Sequence, residues 1–185
     1  MSAEVSRLLQ IGSTGRNSGK TTLAAEVIKK YKNQIPIVAL KIITITGKRG
    51  ICQRGTVGCG ICTSIDSGYE LIEEENVRGN KDTMQLLRSG AMQVFLLKAF
   101  EDSLKEGFYE FLKQIPKDAL IICESNTLRK YVKPGLFIMM DNRKKKMKPT
   151  AQVVYDLADK VLTTAEVEAV SIEKQKWQLA QAVCL

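Results

Sequence analysis

The sequence contains no histidine among its 185 residues. Histidine is the side chain whose ordinary pKa lies closest to neutral pH, and it is the commonest metal ligand. Its absence therefore excludes histidine-based acid–base catalysis and histidine-ligated metal centres. Any chemistry must depend on other groups, which include five cysteines.

The sequence also lacks an apolar run near the ~18 residues that a membrane-spanning helix requires. Its best apolar stretch, residues 35–45, is interrupted by Lys41 and is typical of a buried strand. The first residues lack the basic patch and long apolar stretch of a secretory signal. We therefore expect a cytoplasmic protein without a membrane partner, whose cysteines are reduced rather than paired in disulfides.

Positive charge is in excess, with 28 basic and 20 acidic residues and a formal net charge of +8. This balance favours anionic ligands in general. It does not single out nucleic acid, which we do not expect as a partner, because a nucleotide or an anionic cofactor would be attracted as well. Part of the excess lies in residues 143–148, which form either a solvated loop or a clamp over a phosphorylated substrate.

Apolar periodicity predicts strands and helices that alternate along the chain. The predicted strands cover residues 7–11, 37–45, 92–97, 119–123, 136–140 and 160–162, and the predicted helices cover residues 19–32, 82–89, 101–114, 151–158 and 165–182. This alternation is typical of an α/β protein with a mainly parallel sheet and helices on both faces. The length predicts a single domain over residues 1–185, with a Gly- and Cys-rich insertion at about 46–68.

The segment between the first strand and the first helix is typical of a phosphate-binding loop, or P-loop. We predict that eight consecutive residues bind a nucleotide: Gly15, Arg16, Asn17, Ser18, Gly19, Lys20, Thr21 and Thr22. In a P-loop the backbone amides and the helix N-terminus face the phosphates, a lysine reaches the terminal phosphates, and the next hydroxyl binds Mg²⁺. These last two roles fall on Lys20 and Thr21. The strict pattern has a glycine where this chain has Thr14, which predicts an irregular entry into the loop.

Glu124 directly follows a buried, strongly apolar strand. The carboxyl ends of parallel strands meet at the ligand crevice of such sheets, so we expect Glu124 near the phosphate loop. It is predicted either to bind Mg²⁺, directly or through water, or to orient an attacking group. The alternative is an ordinary acidic residue at the end of a strand.

Five segments, residues 17–23, 38–41, 79–83, 89–91 and 118–124, resemble the MobB family, the P-loop accessory proteins of molybdopterin guanine dinucleotide biosynthesis. Residues 17–23 are similar to the family's phosphate loop, and residues 38–41 to its second strand, which ends in a lysine. Residues 79–83 and 89–91 are similar to its Gly-Lys-Asp-Ser/Thr and Ala-Gly-Ala segments, and residues 118–124 to a strand that ends in Val-Glu-Gly. Together these segments span roughly residues 8–140 in the family's order.

The chain departs from the family pattern at three places. The family usually has histidines after the lysine of the second strand, whereas Lys41 is followed by Ile42 and Ile43. The glycine expected after the strand-end glutamate is Ser125, and the cysteine-containing insertion is not part of the usual pattern. The resemblance therefore covers the phosphate site better than it covers the biological role.

The resemblance implies a P-loop NTPase of the SIMIBI class, which includes MinD and BioD. It implies that GTP, or ATP, binds beside Lys41 with Mg²⁺ near Thr21, Asp82 and Glu124. It also implies an accessory role for molybdopterin-type cofactors and their enzymes, with at most slow hydrolysis involving Lys20, Asp82 and Glu124. The sequence does not indicate which base the nucleotide carries, because the chain has no guanine-reading Asn-Lys-x-Asp tetrad and residues 141–143 are a weak substitute for it.

Three cysteines of the insertion, Cys52, Cys59 and Cys62, form the pattern C-x6-C-x2-C. The C-x2-C spacing lets two thiolates hold one soft metal, either Zn²⁺ or the iron of an iron–sulfur cluster. A fourth ligand could be Asp66, a cysteine of a second subunit in a homodimer, or an exogenous group. The alternative is three loop cysteines without a metal. Cys123, inside a predicted core strand, is interpreted as a small hydrophobic residue.

Two other functions remain open at this stage. One is a small-molecule kinase that uses Glu124 or Asp82 to orient an acceptor hydroxyl and residues 143–148 to hold an anionic acceptor. The other is an NTPase that handles a metal or an iron–sulfur cluster through Cys52, Cys59 and Cys62.

Overall fold

The computed structural model describes residues 3–46, 64–144 and 146–169. The strands in these ranges are β1 (Ala3–Ser13), β2 (Ile37–Ile45), β3 (Tyr69–Glu73), β4 (Gln93–Phe100), β5 (Leu120–Glu124), β6 (Val132–Met140) and β7 (Lys160–Leu162). The α-helices are α1 (Lys20–Tyr31), α2 (Asp82–Arg88), α3 (Leu104–Gln114), α4 (Pro149–Gln152) and α5 (Thr164–Ala169), and short 3-10 helices cover Thr127–Lys130 and Tyr155–Leu157.

The described strands form one sheet in the order β3-β4-β2-β5-β1-β6-β7. Strand β3 pairs with β4 in antiparallel orientation, and the other neighbouring strands are parallel. The predicted α/β architecture with a mainly parallel sheet is therefore confirmed. Strand β3 was not predicted, because this short edge strand is only partly buried and its apolar signal is weak.

Alternate side chains of the central strands point to opposite faces of the sheet, as the strand period of two requires. Ile122 of β5 packs in one apolar cluster with residues of α1 and α2, including Leu23 and Leu86. Its neighbours in sequence pack in a second cluster with α3, where Phe108 is fully buried beside Ile121. Helices therefore cover both faces of the sheet, as the sequence predicted.

Several predicted boundaries differ from the structure. Strand β6 begins at Val132 and so contains Pro134, at a point where β6 pairs with β1 but not yet with β7. A proline is tolerated at such places, and the β1–β6 register is irregular directly after the Val5–Pro134 pair. The predicted helix over residues 151–158 was wrong: the segment forms α4 and a separate 3-10 helix. Within the described ranges, no helix has the length and apolar character that crossing a membrane requires.

Candidate functional site

The loop between β1 and α1 makes a tight reversal at two left-handed residues. Asn17 has φ 52° and Gly19 has φ 82°, and α1 begins at Lys20 immediately after them. Glycine adopts this conformation without strain, and asparagine is among the few other residues that visit it. The N–H groups in the first turn of a helix have no partner within the helix, so this end of α1 offers hydrogen-bond donors and a partial positive charge.

Thr14 forms the irregular entry into the loop. Its Oγ1 donates to Asp141 Oδ1 at 3.0 Å and accepts from the N–H of Asn142 at 3.0 Å, while its carbonyl accepts from the N–H of Lys148 at 2.9 Å. The next residue must be small, because a Cβ on Gly15 would lie 1.8 Å from Asn142 Nδ2. The threonine hydroxyl therefore connects the loop to Asp141 and Asn142 after β6, and a glycine would keep only the backbone contacts.

Asn126 connects the same loop to the carboxyl end of β5. Its Oδ1 accepts from the N–H of Ser13 at 2.7 Å, and its Nδ2 donates to the Ser13 carbonyl at 2.9 Å and to Thr150 Oγ1 at 3.3 Å. A Cβ on Gly12 would lie 2.8 Å from Asn126 Oδ1, so glycine leaves room for this amide. The sequence interpretation missed Asn126; the available signal was a polar amide two residues after a buried strand.

A cavity of about 420 Å³ lies at the carboxyl ends of β1, β2 and β5. The charged and polar residues in its walls include Ser13, Arg16, Lys20, Lys41, Glu124 and Lys148. This edge of a parallel α/β sheet is the usual place for a ligand. The volume lies in the range of small-molecule pockets, about 300–1,000 Å³.

The cavity brings together Lys20, Lys41 and Glu124, which the sequence predicted separately. Lys20 Nζ donates to Ser13 Oγ at 2.8 Å. Lys41 Nζ donates to Asp82 Oδ2 and lies 3.5 Å from Glu124 Oε2, so its ammonium contacts both predicted acidic residues. Asp82 is the first residue of α2 and reaches the cavity wall through this lysine.

Glu124 has an unusual environment for a charged group. Its side chain is 2% exposed, and within the described part of the chain neither carboxylate oxygen accepts a hydrogen bond. A buried carboxylate is costly unless it is paired and hydrogen-bonded. Lys41 supplies a nearby charge, but the oxygens still lack donors, so this group is suited to accept a cation or an N–H or O–H group from a ligand.

The other predicted site residues lie along the loop and the first turn of α1. Arg16 and Asn17 are exposed, and Ser18 is buried with its Oγ donating to the Gly15 carbonyl at 3.4 Å. Thr21 is half-buried and Thr22 is exposed. Of the predicted Mg²⁺ ligands, Glu124 therefore lines the cavity, Asp82 joins it through Lys41, and Thr21 follows Lys20 on α1.

The predicted cysteine metal site, at Cys52, Cys59 and Cys62, lies outside the described residues. Among the residues that are described, no group of three or more cysteine or carboxylate side chains is placed to hold a metal ion. Cys123 is fully buried in the core on the α3 face, which confirms its interpretation as a small hydrophobic residue. Burial raises the pKa of its thiol well above the ordinary value, and the adjacent Glu124 charge raises it further.

Comparison of the chain with protein-family models, with curated proteins and with solved structures found no significant match. The class that the structure defines is an α/β protein with a mainly parallel sheet and a charged cavity at the strand ends. The MobB resemblance depends on the sequence segments alone and stays a prediction.

Replacing Asn126 with Ala should destabilise the protein by about 1–3 kcal/mol, because the partly buried N–H and carbonyl of Ser13 lose their partners. Urea unfolding measures this loss. Thr150→Val is the matched control, since it removes only the weakest of the three contacts and should cost less. An Asn126→Ala protein as stable as the wild type would contradict the role of this amide in the loop.

Proposed function

We propose that this protein binds a nucleoside triphosphate with Mg²⁺, as a P-loop NTPase of the SIMIBI class. The observation that carries the proposal is the position of Lys20. It is the first residue of a helix that begins after the left-handed Gly19, and it lines a cavity shared with Lys41 and Glu124. A cation beside helical N–H donors is an arrangement suited to phosphate groups.

In this proposal different groups of the loop bind different parts of the triphosphate. The amides that follow Gly19 donate to phosphate oxygens, and the helix N-terminus adds its partial positive charge. Lys20 exchanges its bond to Ser13 Oγ for the terminal phosphates. Arg16, which lines the same cavity, adds a second cation from the exposed side of the loop.

The donor set beside Lys20 fits Mg²⁺, which prefers oxygen ligands and takes few of them from the protein. Thr21, Asp82 and Glu124 would hold it, and the ion would neutralise charge on the phosphates. Because the Lys41 ammonium contacts both Asp82 and Glu124, Lys41 would have to turn away for the two carboxylates to share an ion. A lysine released in this way would remain in the wall of the phosphate cavity.

We propose GTP as the nucleotide and an accessory role in molybdopterin-type cofactor biosynthesis, both on the basis of the MobB resemblance. The structure adds one fact about the base. Asp141, part of the weak substitute for a guanine-reading tetrad, accepts from Thr14 Oγ1 and from the N–H of Arg143. Both bonds go to Oδ1, so this oxygen of the carboxylate holds the loop.

A thermal-shift series tests the proposal. A ligand at 100 times its Kd adds about 2.7 kcal/mol to stability, which for a chain of this size raises Tm by roughly 5–10 °C. We expect such a shift with GTP and Mg²⁺, and smaller shifts with GDP or with ATP. No Tm shift with either triphosphate at millimolar concentration would defeat the proposal. A larger Tm shift with ATP than with GTP would change only the proposed base, from guanine to adenine.

A further inference from the structure

We infer that Lys148 is a second phosphate-binding lysine, which approaches the triphosphate from the side of the phosphate loop that faces β6. The inference rests on the proposed function, because it takes the loop between β1 and α1 as the phosphate site. It assigns a role to one residue of the basic run 143–148, which the sequence left open as a solvated loop or a clamp over a phosphorylated substrate.

The segment after β6 is bonded to the phosphate loop at both of its ends. Strand β6 lies next to β1 in the sheet and parallel to it, so the chain leaves β6 beside the loop. At the start of the segment, the N–H of Asn142 donates to Thr14 Oγ1 at 3.0 Å, and Asn142 Nδ2 donates to the Arg16 carbonyl at 3.3 Å. At its end, the N–H of Lys148 donates to the Thr14 carbonyl at 2.9 Å. These bonds hold both ends of the segment against the β6 side of the loop.

Among the described basic residues of the run, Lys148 is the one that lines the candidate phosphate cavity. It is half-buried and shares the cavity wall with Lys20. The other described members, Arg143, Lys144 and Lys146, are exposed and are not part of the wall. Because the backbone of Lys148 is bonded to the loop itself, the ligand nearest to this lysine is the one that the loop holds.

A second ammonium suits the charge of a triphosphate. Lys20 supplies one cation at the start of α1. Arg16 is exposed, so water and salt screen its charge. The half-buried Lys148 is screened less, and a charge-assisted hydrogen bond from an ammonium to a phosphate is about twice as strong as a neutral one. We therefore expect Lys148 to contribute more to triphosphate affinity than the exposed residues of the basic run.

Thr14 is the positioning residue in this arrangement. The strict loop pattern has a glycine here, which would keep the carbonyl bond to Lys148 but lose the hydroxyl. The hydroxyl donates to Asp141 Oδ1 at 3.0 Å and accepts from the N–H of Asn142 at 3.0 Å. It thereby holds the start of the segment whose end carries Lys148. Thr14 therefore acts on the phosphates through this lysine.

Affinity measurements on the full chain test the role of Lys148. The probe is the non-hydrolysable analogue of GTP or ATP, whichever triphosphate gives the larger thermal shift, and it is titrated by calorimetry with Mg²⁺. Lys148→Gln should weaken probe binding by about tenfold or more, because a charge-assisted bond is lost. Lys146→Gln makes the same change in net charge at an exposed residue of the run, and its affinity should stay within roughly threefold of the wild-type value. Thermal unfolding checks that both variants fold.

A double-mutant cycle tests the positioning by Thr14. Thr14→Val removes the hydroxyl but keeps the branched shape, and it should weaken probe binding by about fivefold or more, whereas Thr14→Ser should stay within roughly twofold of the wild type. If Thr14 acts through Lys148, adding Thr14→Val to Lys148→Gln should lower the affinity further by less than about twofold. A general defect of the loop would instead lower the affinity by the same factor in both backgrounds.

Equal probe affinities of the Lys148→Gln and Lys146→Gln proteins would overturn the inference. Equal losses from Thr14→Val in the two backgrounds would overturn the positioning role of Thr14. In both cases the wild-type protein still binds the triphosphate, so the proposed function stands. Failure of the wild-type protein to bind either triphosphate would instead remove the proposed function, and the inference with it.

Discussion

Lys20→Ala should lower triphosphate affinity by about 100-fold or more, because it removes charge-assisted hydrogen bonds worth about 3 kcal/mol. Lys20 is only partly buried, and its bond to Ser13 Oγ lies at the cavity wall rather than in the apolar core, so we expect the fold to survive its loss. Calorimetry at fixed Mg²⁺ concentration measures the affinity, and circular dichroism with urea unfolding checks the fold.

The control for Lys20→Ala is Lys29→Ala on the same helix. Lys29 is exposed and pairs with Glu26 at 2.8 Å in the last turns of α1, far along the helix from the loop. Its removal makes the same change in net charge, so it reports any loss of affinity that is due to overall charge alone. Equal triphosphate affinities of the Lys20→Ala protein and the Lys29→Ala control would show that Lys20 does not bind the phosphates.

The sequence was most informative where burial on both faces of a strand leaves a continuous apolar run. Strand β2 has the predicted bounds, and β5 differs from the prediction by one residue at each end. The short edge strand β7 also has the predicted bounds, although its residues are exposed or partly buried. The edge strand β3 gave a weaker signal, since three partly buried residues are followed by two exposed ones and no position is fully buried. The predicted strand over residues 136–140 began after Pro134, whereas the pairing with β1 extends β6 back to Val132.

The parts of the candidate site that follow from the strand order could be predicted from the sequence. Lys20 and Glu124 follow neighbouring parallel strands, so their meeting at one cavity follows from the fold. The contacts of Thr14 and Asn126 could not be predicted, because they join residues more than 100 positions apart through side-chain geometry. The same applies to Lys41, whose position between Asp82 and Glu124 depends on how α2 approaches the end of β2.

Lys41→Met should destabilise the protein by about 2–3 kcal/mol, because it removes the ammonium that lies 3.5 Å from the buried Glu124 carboxylate. Lys98→Met is the matched control. The lysines are similarly exposed, at 22% and 18%, but the partner of Lys98, Glu70, is 43% exposed whereas Glu124 is 2% exposed. A surface carboxylate stays hydrated when its partner is lost, so the control should cost less than about 1 kcal/mol. Urea unfolding at neutral pH provides both values.

A double-mutant cycle separates the ion pair from the packing of the lysine stem. Adding Glu124→Gln to Lys41→Met removes the buried charge, and most of the lost stability should return. If the double variant is as unstable as Lys41→Met alone, the loss comes from packing and the ion pair is not its cause.

Magnesium should also restore stability to Lys41→Met, because removal of the ammonium leaves Asp82 and Glu124 available to a divalent cation that binds the folded state. We expect the urea midpoint to rise with millimolar Mg²⁺ in this variant and to rise less in the wild type, where Lys41 contacts both carboxylates. The Lys41→Met/Glu124→Gln protein should respond least, since one of the two carboxylates is gone. Equal responses in all three proteins would show that these carboxylates do not hold the ion, and the magnesium role would then fall to Thr21 and the phosphates alone.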